Sequence, residues 1–185
     1  MVMAERLWPR ASAVRDVVLG LAGVLLLGLV AQLEIPLRPV PITGQTFGVL
    51  LIGALLGSRR GALTVGAYVA AGVAGMPIFA GGASGISRLF GPTGGYLLGF
   101  IAAAWVVGWL SERGWDRRLL TAAAAMLLGT VVIYIFGLSG LSFFVGWERV
   151  AAVGLAPFLI GDLLKLALAA LALPGGWALL GRARD

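Results

Sequence analysis

The sequence contains no cysteine and no histidine, and only 12% of its 185 residues are charged. The absence of cysteine excludes disulfides and thiol nucleophiles, and the absence of histidine removes the commonest transition-metal ligand. Soluble domains carry roughly 25% charged residues, whereas this chain is 60% hydrophobic, with a mean hydropathy of +1.01. The composition therefore predicts an integral membrane protein and argues against metalloenzymes and cysteine-dependent enzymes.

Signatures of other enzymes and of nucleotide binding are also missing. No GxxxxGK[ST] phosphate loop occurs, because the cluster of Gly81, Gly82 and Gly85 is not followed by a lysine. No GxSxG motif occurs, and the serines have no histidine to activate them. The net charge of +6 comes from arginines scattered over short loops instead of one basic face. We therefore predict neither an enzyme nor a nucleic-acid-binding protein, and any coupling to ATP hydrolysis would need separate proteins.

Long apolar segments predict an all-α integral membrane protein, with residues 1–185 forming a single domain of six transmembrane helices. A helix needs about 17 to 25 apolar residues to cross the hydrocarbon layer. The second segment is too short to cross alone, so its start is expected to lie in protein or water. The predicted helices cover approximately residues 14–33, 43–57, 61–79, 94–111, 119–138 and 150–173.

The distribution of arginines predicts the orientation of these helices. Cytoplasmic loops carry an excess of basic residues, and here ten arginines fall on one side of the membrane and three on the other. Both termini are therefore predicted to be cytoplasmic, and no cleavable signal peptide is expected. The ten are Arg6, Arg10, Arg15, Arg59, Arg60, Arg113, Arg117, Arg118, Arg182 and Arg184, and the three are Arg38, Arg88 and Arg149.

Two loops on the predicted outer side have unusual compositions. Residues 34–45, EIPLRPVPITGQ, contain three prolines, which prevent a regular helix and keep the backbone extended. Residues 79–95, FAGGASGISRLFGPTGG, are rich in glycine, which permits positive φ angles and close approach of the backbone to a ligand. The glycine-rich segment is either a lid or a disordered connector. Both loops lie where a ligand from outside would arrive.

An acid and a lysine lie within the last apolar segment. Asp162 and Lys165 are three residues apart, which places both side chains on one face of a helix. A charge at the bilayer centre costs at least about 2.5 to 3.5 kcal/mol, so this face is predicted to point into the bundle or a water-filled cavity. The pair either satisfies itself as a buried ion pair or recognises a ligand, with Lys165 contacting an anion and Asp162 accepting hydrogen bonds.

Four more polar residues are candidates for the same site. Arg88 in the glycine-rich loop either contacts an anionic ligand or is solvated. Thr43 and Gln45, together with Thr46, begin the short second segment and either line the cavity or cap the helix. Tyr96 follows the GPTGG sequence and is either a cavity residue or an anchor at the membrane interface.

Small residues recur at every fourth position of the third segment. Ala62, Gly66, Ala70 and Ala74 have the spacing that lets neighbouring transmembrane helices approach closely. This row is predicted either to pack inside the protein or to form a face on which a partner docks.

Taken together, these features resemble the BioY family, the biotin-specific substrate-capture (S) components of energy-coupling-factor (ECF) transporters. The resemblance rests on IPLRPVPITGQT at 35–46, GMPIFAGGASG at 75–85, GPTGGYLLGF at 91–100 and the acid–lysine pair Asp162 and Lys165. It implies the S-component fold in the cell membrane of a prokaryote, with six helices that capture biotin from the outer side.

The resemblance also implies a ligand site and partners. Asp162 and Lys165 match the family's polar ligand contacts, and Gly81 and Gly82 belong to the segment that covers the ligand. The expected ligand is biotin, with no cofactor, and the expected partners are a transmembrane coupling (T) protein and two cytoplasmic ABC-type ATPases. Three alternatives stay open: an S component for another small vitamin, a self-sufficient permease, and a structural membrane protein whose buried pair only fixes packing.

Overall fold

The computed structural model describes residues 2–8 and 12–182, so Arg10 and Arg184 of the predicted basic side lie outside the described residues. The described chain is mostly helical, as predicted. The proline-rich loop forms a short antiparallel hairpin in which Glu34 pairs with Thr43. The helices are α1 (Met3–Leu7), α2 (Ala13–Ala31), α3 (Gln45–Leu56), α4 (Ser58–Val73), α5 (Gly94–Glu112), α6 (Leu119–Val145), α7 (Trp147–Gly154) and α8 (Leu159–Arg182), and the strands are β1 (Glu34–Ile35) and β2 (Ile42–Thr43).

Several of these helices are long and apolar enough to cross a membrane. By length and hydropathy they are Ala13–Ala31, Gly94–Glu112, Leu119–Val145 and the stretch Trp147–Leu179, which joins α7 and α8. The 12 residues of α3 extend only about 18 Å at 1.5 Å per residue, which is too short to span alone. The chain is therefore a multi-pass helical membrane protein, while the count of six spanning helices and the side of the termini stay predictions.

The third segment ends earlier than the expected range of 61–79. Helix α4 stops at Val73, and Gly75 follows with a φ of +109°. The N–H groups of Gly75 and Met76 donate to the carbonyls of Gly72 and Ala71, which is the pattern of a Schellman C-cap. Because a left-handed glycine ends the helix before Pro77, the following residues belong to the glycine-rich loop.

The last segment, expected as one helix over 150–173, is divided in two. Helix α7 ends at Gly154, a 3₁₀ turn covers Ala156–Phe158, and α8 begins at Leu159. Pro157 lies in that turn and has no N–H for a continuous helical ladder. Asp162 consequently lies in the first turn of α8, where the positive end of the helix dipole stabilises a carboxylate.

The loop expected between the fifth and sixth segments is also largely helical. Helix α6 continues to Val145, and Gly146, with a φ of +77°, is the single residue between α6 and α7. The aromatic residues Phe143, Phe144 and Trp147 therefore lie on helices, and all three are exposed.

Helix α5 occupies the centre of the bundle, and glycines let its neighbours approach its backbone. A Cβ atom on Gly53 of α3 would lie 2.6 Å from the carbonyl oxygen of Ala104. A Cβ atom on Gly108 of α5 would lie 2.4 Å from the backbone of Gly57 and Ser58. These distances are shorter than any real Cβ contact, so glycine at these positions sets the spacing of α3, α4 and α5.

The row of small residues on α4 does not make such contacts. Ala70 and Ala74 are exposed, and a Cβ atom on Gly66 would have no heavy atom within 4 Å. Close packing among the described helices therefore uses other glycines, such as Gly53 and Gly108, and Ala70 and Ala74 of the row face outward.

The 3₁₀ turn Trp115–Arg117 contains a buried acid. It lies at the end of the bundle opposite to the starts of α3 and α8. Asp116 is 0% exposed, its Oδ2 accepts a hydrogen bond of 2.6 Å from Nε1 of Trp177, and its Oδ1 has no partner within the described chain. Burial raises the pKa of the Asp116 carboxyl, although the bond from Trp177 opposes this effect. The acid holds the C-terminal half of α8 to the turn between α5 and α6.

Because the native chain holds the Asp116 proton to a higher pH than the unfolded chain, this group stabilises the fold at low pH. That contribution is lost as the pH rises through the raised native pKa. We expect the melting temperature of the wild type, relative to Asp116→Asn, to fall as the pH rises from about 4, the ordinary pKa of an aspartate, through the raised pKa of the native carboxyl. Each kcal/mol corresponds to about 2 to 4 °C in a chain of this size. Thermal unfolding of both proteins in detergent across this pH range measures the difference in melting temperature. A difference that does not change with pH would contradict the expectation.

Candidate functional site

A cavity of about 860 Å³ opens at the end of the bundle where α3 and α8 begin. Its walls come from the proline-rich and glycine-rich loops and from α3, α5, α6 and α8. This volume lies within the roughly 300 to 1,000 Å³ typical of small-molecule sites. Its charged residues are Glu34, Arg38, Arg88, Asp162 and Lys165, and its aromatic residues are Phe79, Tyr96, Phe100, Tyr134 and Phe158.

The lone lysine of the chain is held on the cavity floor, which we define as Thr43, Thr46, Asp162 and Lys165. The ammonium of Lys165 donates to the carbonyl of Thr43 at 2.7 Å, to Oγ1 of Thr46 at 2.9 Å and to Oδ1 of Asp162 at 3.2 Å. An ammonium has three protons, so each already has an acceptor. Asp162 and Lys165 form an ion pair that also lines the cavity, and recognition of a ligand by this pair stays a prediction.

Sequence reasoning missed a partner of Asp162 on another helix. The hydroxyl of Tyr134, in the middle of α6, donates to Oδ2 of Asp162. Thr130 lies one turn earlier and also lines the cavity. A threonine and a tyrosine four residues apart on one face of an apolar helix were the available signal.

The residues at the start of α3 line the cavity, and the side chain of Thr43 accepts the first N–H of the helix, while Gly44 is the N-cap residue. Oγ1 of Thr43 accepts a hydrogen bond of 3.2 Å from the N–H of Gln45 and donates one of 3.0 Å to its Oε1. Nε2 of Gln45 donates to the hydroxyl of Tyr68 at 2.7 Å. Thr43 and Gln45 are buried, and this bonding fixes their side chains in the cavity lining.

Tyr96 connects α5 with α7 instead of anchoring the chain at a membrane surface. It is buried, and its hydroxyl donates to the carbonyl of Gly154 at 2.7 Å. Its ring occupies the space beside Gly137, where a Cβ atom would lie 2.4 Å from the ring. Tyr96 also lines the cavity, together with Leu97 and Phe100 of the same helix.

The glycine-rich loop is folded and forms 3₁₀ turns at Ala80–Gly82 and Ile86–Arg88. Gly81 has a φ of +64° and lines the cavity against the carboxylate of Glu34, which a Cβ atom would approach to 2.9 Å. Gly82 has a φ of +67° but is not part of the cavity lining, and its N–H donates to Gln32. The structure therefore brings seven of the eight candidate residues together around the cavity.

Two arginines lie at the cavity mouth, which we define as Glu34, Arg38 and Arg88. Both guanidinium groups are exposed, and neither forms a salt bridge with another described residue. Arg38 was not among the candidate site residues, although its place among the few arginines of the predicted outer side was the signal. The mouth thus offers two cations to an anionic group.

The fold and the cavity define a multi-pass helical membrane protein with a pocket of small-molecule size. The family model described as the BioY family matches residues 3–182. The chain therefore belongs to the BioY family, as its motifs predicted.

Comparisons with individual proteins agree with this assignment. The chain is 44% identical over 142 residues to the biotin transporter BioY of Thermotoga maritima, covering 76% of this chain and 83% of that protein. It is 38% identical over 156 residues to the biotin transporter BioY of Rhizobium etli, covering 80% and 83%. It also superposes with a TM-score of 0.80 and 24% identity on the crystal structure of the S-component for biotin from an ECF-type ABC transporter, covering 89% and 93% of the two chains. This last likeness confirms the predicted S-component fold.

Proposed function

We propose that this protein is a biotin-binding S component, which captures biotin from the extracytoplasmic side of a prokaryotic cell membrane. The observation that carries the proposal is a cavity of about 860 Å³ with a half-buried acid–lysine pair at its floor and two arginines at its mouth. Relatives named as biotin transporters share 38% to 44% of their aligned residues with this chain. Biotin has a polar ureido ring system at one end and a carboxylate at the other, which suits a site with two separate polar regions.

The hydrogen bonding of the floor favours one orientation of biotin. The three protons of Lys165 already have acceptors, so this lysine has none left for a ligand carboxylate. The carboxylate of Asp162 has about four acceptor positions and keeps capacity for a ligand N–H. We therefore place the ureido ring at the floor near Asp162 and the carboxylate at the mouth near Arg38 and Arg88.

Transport needs partners that this sequence does not supply. We propose a transmembrane coupling protein and two cytoplasmic ABC-type ATPases, since the fold matches a component of an ECF-type ABC transporter and the sequence has no phosphate loop. On this proposal the chain is a transport subunit and not an enzyme. Of the remaining candidates, Thr43 belongs to the floor, Gln45, Gly81 and Tyr96 shape the wall, and Gly82 acts through the fold of the loop.

Isothermal titration of the detergent-purified protein with biotin and with its methyl ester tests the function and the orientation together. We expect tight biotin binding by the wild type and about tenfold weaker binding of the ester, the scale of one charged contact. In the Arg38→Gln, Arg88→Gln double variant, the affinity for biotin should fall and should equal the affinity for the ester. The reason is that the cations proposed to contact the carboxylate have been removed. Arg149→Gln is the matched control, since Arg149 is also exposed and is not part of the cavity lining.

The same titrations separate the alternatives. A full ester penalty in the double arginine variant would place the carboxylate elsewhere. A heat of binding with riboflavin or thiamine, and no heat of binding with biotin, would indicate an S component for another vitamin. Biotin uptake by proteoliposomes without ATPases would indicate a self-sufficient permease, and no binding by a folded protein would indicate a structural role.

A further inference from the structure

The side chain of Gln32, the residue that follows α2, makes two hydrogen bonds to the glycine-rich loop. Its Nε2 donates to the carbonyl of Phe79 at 3.1 Å, and its Oε1 accepts from the N–H of Gly82 at 3.0 Å. The same Nε2 donates to the carbonyl of Gly28 at 3.0 Å, which fixes the amide over the end of its own helix. One amide group therefore joins both sides of the turn Ala80–Gly82 to α2.

A second set of contacts holds the loop to α4. The hydroxyl of Tyr68 donates to the carbonyl of Ile78 at 2.9 Å, and its ring meets the ring of Phe79 edge to face at 5.6 Å. The Phe79 ring is buried in a notch beside Gly72, where a Cβ atom would lie 2.2 Å from it. The carbonyl of Gly72 also accepts from the N–H of Gly85 at 2.8 Å.

The contact at Tyr68 continues to the floor of the cavity. Gln45 donates to Tyr68 at 2.7 Å, Thr43 donates to Gln45 at 3.0 Å, and Lys165 donates to the carbonyl of Thr43 at 2.7 Å. Tyr68 is 0% exposed, so this chain of hydrogen bonds runs through the protein interior, where such bonds are not weakened by water. The loop at the mouth and the ion pair at the floor are thus parts of one bonded network.

We propose that Gln32 and Tyr68 are positioning residues that latch the glycine-rich loop over the cavity and slow the escape of the bound ligand. This inference rests on the proposed biotin site. Neither residue lines the cavity, and both act through the backbone of residues 78–82. Gln32 holds the loop from the α2 side, and Tyr68 ties it to the acid–lysine pair.

The test compares Gln32→Ala, Tyr68→Phe and the conservative Gln32→Glu with the wild type. Gln32→Glu keeps an acceptor for the Gly82 N–H but cannot donate to Phe79, so its effects should be intermediate. Thr121→Ala is the matched control, because the Thr121 hydroxyl also donates its proton to backbone carbonyls, shared between those of Trp115 and Arg118, at the opposite end of the bundle. Gln32 is exposed, so its removal leaves the core intact even where Tyr68→Phe lowers stability.

Two rates are measured in each protein. In the ligand-free state, hydrogen exchange of peptides covering residues 76–90 should accelerate about tenfold in Gln32→Ala and Tyr68→Phe, the scale of one or two lost hydrogen bonds. Dissociation of radiolabelled biotin should accelerate by a similar factor, with association and melting temperature of Gln32→Ala close to those of Thr121→Ala.

If hydrogen exchange of the loop is unchanged in both variants, Gln32 and Tyr68 do not hold the loop. If hydrogen exchange is faster but the dissociation rate of biotin is unchanged, holding the loop does not slow the escape of the ligand. The exchange measurement needs no ligand. If the wild type binds no biotin, the proposed function fails, and the exchange rates still decide whether Gln32 and Tyr68 hold the loop.

Discussion

Replacing Lys165 with methionine is expected to weaken biotin binding by more than about 2 kcal/mol, or about 30-fold in Kd, the scale for removing one partner of a buried charged contact. Methionine keeps much of the side-chain length but removes the ammonium that bonds Thr43, Thr46 and Asp162. The carboxylate of Asp162 then loses its counter-ion, and the Thr43 carbonyl loses a donor. Isothermal titration of the folded variant measures the effect.

A paired substitution distinguishes loss of the site from loss of the fold. Lys165→Met leaves an uncompensated charge beside Tyr134, whereas adding Asp162→Asn removes that charge. We expect the double variant to recover thermal stability but not biotin affinity. Folded single variants with wild-type Kd values would show that the pair only fixes packing.

Replacing Gly108 with alanine is expected to destabilise the bundle by about 1 to 3 kcal/mol or more, the range for overfilling a packed interior. The new methyl group would lie 2.4 Å from the backbone atoms of Gly57 and Ser58, and a backbone cannot rotate away as a side chain can. Helix α5 would have to move from the turn between α3 and α4. Thermal unfolding followed by size-exclusion chromatography in detergent measures this change.

Gly66→Ala on α4 is the matched control for this substitution. It makes the same chemical change within a helix, but a Cβ atom there meets no heavy atom within 4 Å. Alanine should stabilise this helix by roughly 0.5 to 1 kcal/mol, because glycine loses more backbone freedom on folding. Equal melting temperatures for the two variants would show that the close approach at Gly108 does not limit packing.

The residues that line the cavity were predictable where a side chain was unusual for its surroundings. Asp162 and Lys165 stand out in an apolar segment, and the prolines and glycines mark the two loops that form the cavity wall. Tyr134 and Gln32 were missed because neither is unusual for its segment. Their roles depend on distances to residues 28 and 47 to 50 positions away, which no local pattern encodes.

The sequence by itself determined the membrane environment, the helical class, the family and the acid–lysine pair, because each depends on composition, local periodicity or short motifs. The tertiary structure decided where helices end and which polar groups remain for a ligand. The break at Pro157 moved Asp162 from the middle of a helix to its first turn. Where α8 packs against α3, each proton of Lys165 has an acceptor within the protein. Among the described cavity residues, Arg38 and Arg88 are then the cations without a salt bridge. Hydrogen-bond satisfaction depends on partners distant in sequence, so only the folded chain specifies it.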